Sequence, residues 1–201
     1  MTTLRDDPKT QLPRTKAPHK NKMTQFQPQF HLAQVNTARL LAPADDPSIA
    51  DFVAQLDRVN ALAEASPGFV WRYISDTRDP QDREYPDPLM LFNLSVWQSP
   101  EHLYDYAYRS DHAKVFADRR KWFEKLAEPQ LALWWIPAGH IPTVKEAKQR
   151  LATLTFEGPG PRAFTFRHRY DAQGNPVEAK KPAAGGVTPP VPAVVPAAAE
   201  N

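Results

Sequence analysis

There is no cysteine in this chain of 201 residues. Disulfides, thiolate nucleophiles and Cys-ligated zinc or iron–sulfur centres are excluded with it. No apolar run of about 18 residues occurs, so no membrane-spanning helix is expected, and the N-terminus lacks the apolar core of a secretory signal. A cytoplasmic protein is the expectation. An excess of one charge is also lacking: 25 Lys and Arg face 23 Asp and Glu, a net charge of +2. None of the GxGxxG, P-loop, HExxH or GxSxG signatures appears. The histidines at 19, 31, 102, 112, 140 and 168 include no i, i+3 or i, i+4 pair, so no helix-borne metal site is expected.

Proline, by contrast, is abundant, with 22 residues, and it marks out the ends. Residues 1–28 hold Pro8, Pro13, Pro18 and Pro28 with no apolar periodicity, and six Lys or Arg against Asp6 and Asp7. Such a segment buries too little apolar surface to offset its ordering entropy. It reads as a disordered basic arm. Its scattered cations lack interleaved aromatics, which favours a solvated leader over a nucleic-acid or membrane tether. Residues 171–201 turn rich in Pro and Ala and read as a second disordered tail. Between them, 29–170 reads as one domain, nearly neutral once the arm is set aside.

Within that domain the periodicity alternates between strand and helix. FHLAQVNT, Phe30 to Thr37, reads as a strand. Ile49, Phe52, Val53, Leu56, Val59 and Ala63 form one helical face behind the Asp45–Ser48 start signal. GFVWRYI, Gly68 to Ile74, is a strand by its aromatic and β-branched content. LMLFNLSVW, Leu89 to Trp97, alternates clearly: Met90, Phe92, Leu94 and Val96 face one way, Leu89, Leu91, Asn93, Ser95 and Trp97 the other. The wholly apolar side is expected against helices, the mixed side against a cleft or partner. Ser99-Pro100-Glu101 opens a helix to about Tyr108, and a further helix is expected from Asp111 to about Leu126, with Val115, Phe116, Phe123 and Leu126 on its stripe. LALWWIP, Leu131 to Pro137, is the fourth strand, and Thr143 caps an extra helix. Ala163 to Phe166 is a short apolar segment at an edge.

This β-α-β-β-α-β order is the ferredoxin-like split βαβ pattern, an α+β fold. It implies a four-stranded antiparallel sheet with helices on one face. The open face then calls for a partner layer, and a homodimer packing sheet on sheet supplies one.

HLAQVNTARL (His31 to Leu40), LFNLSVWQSPEHLYDY (Leu91 to Tyr106) and the segment Tyr106 to Phe166, above all LWWIPAGHIPT (Leu133 to Thr143), resemble the DUF3291 family, whose activity is undefined. The resemblance implies the dimeric α/β-barrel superfamily, which includes cofactor-free antibiotic-biosynthesis monooxygenases, haem-degrading enzymes and isomerases. A site is implied between strand and helix. His112 and Arg119 share a face of the expected helix and suit proton transfer and anion binding; they are the catalytic candidates. Asn36, Trp71, Asn93, Ser95, Trp97 and Trp135 are the ligand-binding candidates, with amides and a hydroxyl for orientation and indoles for flat apolar walls. Tyr106 occupies the place where relatives often carry a further histidine, which counts against haem ligation. The functional expectation is a small-molecule-binding protein or cofactor-independent monooxygenase or isomerase acting on an aromatic or polyketide-like, small aromatic or acidic ligand. The alternatives are a non-catalytic ligand-binding or stress-associated dimer, or a haem-binding protein. No resident metal or cofactor, nucleic acid or membrane is expected.

Overall fold

A computed structural model describes residues 29–75, 87–109 and 118–178 of the chain. The two expected tails, residues 1–28 and most of 171–201, lie outside the described residues. β1 (Phe30–Arg39), β2 (Phe69–Arg72), β3 (Met90–Trp97) and β4 (Leu131–Pro137) form one antiparallel sheet in the order β2-β3-β1-β4. That order is the ferredoxin-like arrangement, and the fold is α+β as expected from the sequence.

Register fixes which residues share a side. Leu32, Gln34 and Asn36 lie opposite Trp97, Ser95 and Asn93 on β3 and opposite Trp135, Leu133 and Leu131 on β4. This is the mixed side. It is covered by α2 (Leu56–Glu64) and α3 (Pro100–Arg109): Ala63, Leu103, Tyr106 and Ala107 pack with Leu32, Trp97 and Leu133. The expectation was the reverse, with the apolar side against these helices. Leu32, Leu91, Trp97 and Leu133 surround the polar groups with enough apolar surface for helices to dock, and the polar groups satisfy one another.

The expected helix from Ser48 is broken. A 3-10 turn (Pro47–Ile49), a short α1 (Ala50–Val53) and α2 succeed one another. Asp46 starts the run by accepting the Ser48 amide at 2.8 Å, and Ile49, Phe52, Leu56, Val59 and Ala63 remain buried across the break. The apolar pattern therefore marked the buried stripe correctly but not the backbone that carries it.

A larger departure follows α3. Residues 110–117, including His112, Val115 and Phe116, lie outside the described residues. The chain then makes only a 3-10 turn (Arg119–Lys121) and leaves it at Trp122. Phe123 forms an isolated bridge with Leu40, and the Glu124 amide donates to the Arg39 carbonyl at 2.9 Å. Residues 122–124 thus extend along β1 instead of continuing a helix to Leu126. Trp122, absent from the expected stripe, is the buried residue here, packed with Phe52 and Leu40. An indole and a phenyl in succession wedge better between α1 and a strand end than on a helix exposed over most of its surface.

The extra helix, α4 (Val144–Glu157), crosses the apolar side along β4 and β1, where Ala147 and Leu154 join Ala33, Val35, Ala132, Trp134 and Ile136. Thr143 caps it by accepting the Glu146 amide at 3.1 Å. Phe164 then pairs with Leu133 through two 2.8 Å backbone bonds and covers part of the β4 edge, as the apolar segment 163–166 suggested. The hairpin of β5 (Arg169–Tyr170) and β6 (Pro176–Val177) carries the described fold past the expected boundary at 170. Its turn is closed by Asp171, which accepts from the amides of Gln173 and Asn175 at 2.9 and 2.8 Å. No helix of the described residues is long and apolar enough to cross a membrane.

Candidate functional site

The mixed side of the sheet holds a row of buried polar side chains. Gln34 is fully buried, and Asn36, Asn93 and Ser95 nearly so. The indole Nε1 of Trp97 donates to Ser95 Oγ at 2.9 Å, and Ser95 Oγ donates to Gln34 Oε1 at 2.8 Å. Gln34 Nε2 donates to Asn36 Oδ1 at 3.0 Å, and Asn93 Nδ2 donates to the same oxygen at 3.0 Å. The row therefore has a direction. Two donors converge on one Asn36 oxygen, so the amide orientations of Gln34, Asn36 and Asn93 are mutually fixed and the Asn36 amino group is turned away from that junction.

Aromatic rings flank the row at one end. Tyr106 of α3 stacks on Trp97 at 5.2 Å between centroids, and Phe69 meets the same indole edge-on at 5.3 Å. The Tyr106 hydroxyl donates to the Val59 carbonyl of α2 at 3.2 Å, which ties the two helices together over the sheet. Burial pushes the Tyr106 phenol well above its ordinary range, against a smaller opposing effect of the Arg72 charge. Tyr106 is therefore a neutral hydrogen-bonding group and not a proton acceptor at physiological pH.

Of the candidates from the sequence, Asn36, Asn93, Ser95 and Trp97 come together in this row, and Gln34 joins them. Trp135 shares their side, but its Nε1 is already donated to the Tyr170 carbonyl at 2.7 Å; it holds the C-terminal hairpin against β4. Trp71 is on the opposite side of the sheet. The register explains why: Phe69 pairs with Trp97, but Trp71 pairs with Val96 and Arg72 with Ser95. The irregularity at Val70 inserts one residue, and one residue reverses every later side chain. Trp71 then packs near Tyr73 and Phe92 on the apolar side. Arg119 stands on the 3-10 turn beside Trp122, at the Leu40–Leu91 end of the molecule. Its carbonyl accepts the Phe123 amide at 3.0 Å, but no helix continues from that turn to Leu126. His112 lies outside the described residues.

Sequence reasoning passed over Arg72. The bulge brings it to the mixed side opposite Ser95, where its Nε donates to Glu64 of α2 at 2.6 Å. A charge among aromatics in GFVWRYI was the available signal, but simple alternation pointed it the wrong way.

The WWIPAGHIPT string has a structural role. Trp134 is buried on the apolar side, and its Nε1 donates to Glu146 Oε1 at 2.9 Å; His140 Nε2 meets Glu146 Oε2 at 2.9 Å. These bonds fasten α4 to β4. Among the described residues no group of three or more His, Asp or Glu is placed to hold a metal ion.

The family model described as a domain of unknown function, DUF3291, matches residues 31–180. No curated protein matches the chain. Similar solved structures include the cofactor-independent oxygenase SnoaB from Streptomyces nogalater, 15% identical over 55% of this chain and 95% of that one, with a TM-score of 0.37. A conserved protein from Methanosarcina mazei is 15% identical over 56% and 96%, with a TM-score of 0.39. A chain assigned to the antibiotic biosynthesis monooxygenases, from Chloroflexus aurantiacus, is 18% identical over 57% and 98%, with a TM-score of 0.34. Likeness at this level carries nothing about chemistry.

Proposed function

The chain belongs to the DUF3291 family, and we propose that it binds a small aromatic or enol-bearing molecule between the mixed side of its sheet and the helices above. One observation carries this reading: the buried row from Trp97 through Ser95 and Gln34 to Asn36 and Asn93. A core that needed only stability gains little from five polar side chains, since apolar residues of the same shape avoid their desolvation. A row of oriented amides gives a ligand hydroxyl or carbonyl neutral hydrogen bonds in a low-dielectric setting. Trp97 and Tyr106 add flat apolar surface beside it.

The row itself holds no group that ionises near neutral pH. Binding is therefore the function it supports directly. Catalysis as a cofactor-independent monooxygenase or isomerase acting on an aromatic or polyketide-like substrate requires a proton acceptor in addition, and His112 is the residue we assign to it. The test has two parts. Calorimetric titration with hydroxylated aromatics should give binding that Asn93→Ala weakens. Oxygen uptake with the same panel, lost in His112→Ala while binding persists, would identify the enzyme; binding without turnover would leave the ligand-binding dimer. Absence of binding across the panel removes the reading.

A homodimer is the second element of this proposal. Trp71, Tyr73 and Phe92 are only partly buried on the apolar side, at the β2–β3 end away from α4. A second copy laid on that end would add apolar cover to their exposed parts. Light scattering that gives the monomer mass at high micromolar concentration would remove it.

A further inference from the structure

The geometry points to Arg72 as the anion-recognising residue of this site, and so to a ligand that carries a carboxylate or enolate oxygen; this rests on the binding site proposed above. Arg72 is a charged residue on a covered surface: its side chain is 16% exposed, while that of its partner Glu64 is 48% exposed. Its Cα register partner is Ser95, and directly opposed residues on one side of a sheet bring their side chains within about 5 Å at the base. Arg72 therefore rises beside the Trp97–Ser95–Gln34 part of the row. Its charge also reaches the Tyr106 phenol.

Glu64 engages only Nε, at 2.6 Å, and the terminal amino groups have no hydrogen-bond partner among the described residues. A guanidinium carries five donors in a fixed plane. One bond at Nε sets that plane and leaves the terminal fork for something else. The row beside it is wholly neutral: Gln34, Asn36, Asn93, Ser95, Trp97 and Tyr106. A cation in this position is unfavourable unless opposed by charge, and Glu64 opposes it from the rim, half in solvent. Leucine or methionine would fill the same space without that penalty. A bidentate oxyanion is the group that a held guanidinium fits best. The division of labour is then clear: the amide row orients a hydroxyl or carbonyl, the Trp97–Tyr106 pair faces an apolar ring, and Arg72 selects for negative charge.

The experiment compares 1-hydroxy-2-naphthoate with 1-naphthol by calorimetric titration near neutral pH, on the full chain. The two share a ring system and a hydroxyl and differ in the carboxylate. The acid should bind the natural chain about tenfold or more tightly than the naphthol, the range of a charged hydrogen-bonded pair. Arg72→Gln should remove that preference while leaving naphthol affinity within about twofold, and Arg72→Lys should restore part of it. Equal affinity of the natural chain for both probes overturns the assignment without any variant, so a misfolded Arg72→Gln does not leave it undecided. Equal weakening of both probes in a folded Arg72→Gln also overturns it. If naphthol binds and the acid has no advantage, only the role of Arg72 falls. If neither probe binds, the binding site falls with it.

Discussion

The two sides of the sheet are built from the same alternating strands, yet they are buried in different ways. On the α4 side, Val35, Leu94, Val96 and Ile136 present only apolar surface to Ala147 and Leu154, and the Trp134 bond to Glu146 is the directional contact added to it. On the α2–α3 side, apolar residues form a frame around the amide row. Burial on the first side is non-directional and scales with area. On the second it depends on each donor finding its acceptor, so its stability is conditional on geometry. The difference teaches why the proposed binding is assigned to one side: only the α2–α3 side carries oriented polar groups under its helices.

The strongest way to break the comparison is to remove bulk from the apolar side. Trp134→Ala deletes a buried indole that packs on α4 and donates to Glu146. A loss of about 3–5 kcal/mol is expected in urea unfolding, with little change in probe affinity for any molecule that remains folded. Loss of binding out of proportion to unfolding would show that the two sides are not independent.

Next in size is Asn36→Leu on the mixed side. Asn36 Oδ1 accepts from both Gln34 and Asn93, so the change orphans two donors and about 2–4 kcal/mol is expected to be lost. Asn93→Leu leaves the Gln34 bond to Asn36 in place and should be milder. Replacing both asparagines together should cost less than the sum, because the second change removes a donor the first had stranded. Strict additivity would mean that the row is not a connected network.

Gly68→Ala tests the mixed side through the backbone. Gly68 has φ +76°, and a Cβ there would stand 2.2 Å from the His102 ring. The loss expected is about 1–3 kcal/mol from backbone strain and the clash together. Gly68→Ala with His102→Ala should recover only the part due to the imidazole ring, since the Cβ of residue 102 would still stand 2.7 Å away, and none of the φ part. Full recovery would show that the left-handed backbone carries no weight here.

Much of the fold was legible because strand alternation is strict and local. Phe92, Leu94 and Val96 against Asn93, Ser95 and Trp97 could be separated by counting. What sequence could not decide was which side the helices cover, since a mixed side with Leu32, Leu91, Trp97 and Leu133 around it buries as well as an apolar one. The placement of the candidate residues was legible to the same extent: Asn36, Asn93, Ser95 and Trp97 could be put on one side of the sheet because they lie on regular strands. Trp71 and Arg72 exchanged sides because one extra residue at Val70 shifts the register, and nothing in GFVWRYI marks that residue. The Phe123 stripe failed for a different reason: Trp122 is buried and Phe123 half-buried by tertiary wedging against Phe52 and Leu40, with no continuing helix to give them a period.

The smallest effect separates the two sides by pH. The amide row does not titrate, whereas α4 is fastened by a carboxylate. Glu146 accepts from Trp134 Nε1 at 2.9 Å and from His140 Nε2 at 2.9 Å, and Arg150 approaches it at 3.4 Å while lying over the Trp134 ring. Burial pushes the Glu146 carboxyl up, but the bonds from His140 and Trp134 and the charges of His140 and Arg150 outweigh it, so the group lies below its ordinary value of 4.5. A carboxyl depressed in the folded state stabilises the fold above its unfolded value, and that contribution is lost as pH falls through the folded value. Acid should therefore loosen α4 while leaving the Trp97–Asn93 row intact. Asp46, Asp87, Glu101 and Asp171 are depressed as well, so the reading must come from a difference between chains. Glu146→Gln keeps an acceptor for Trp134 and removes the charge. Its deficit against the natural chain in urea unfolding should be at most about 1 kcal/mol near neutral pH, given the partial exposure of the cluster. That deficit should shrink toward zero as pH drops below 4.5. A deficit that stays constant across the acid range would mean that the Glu146 charge does not hold α4 in place.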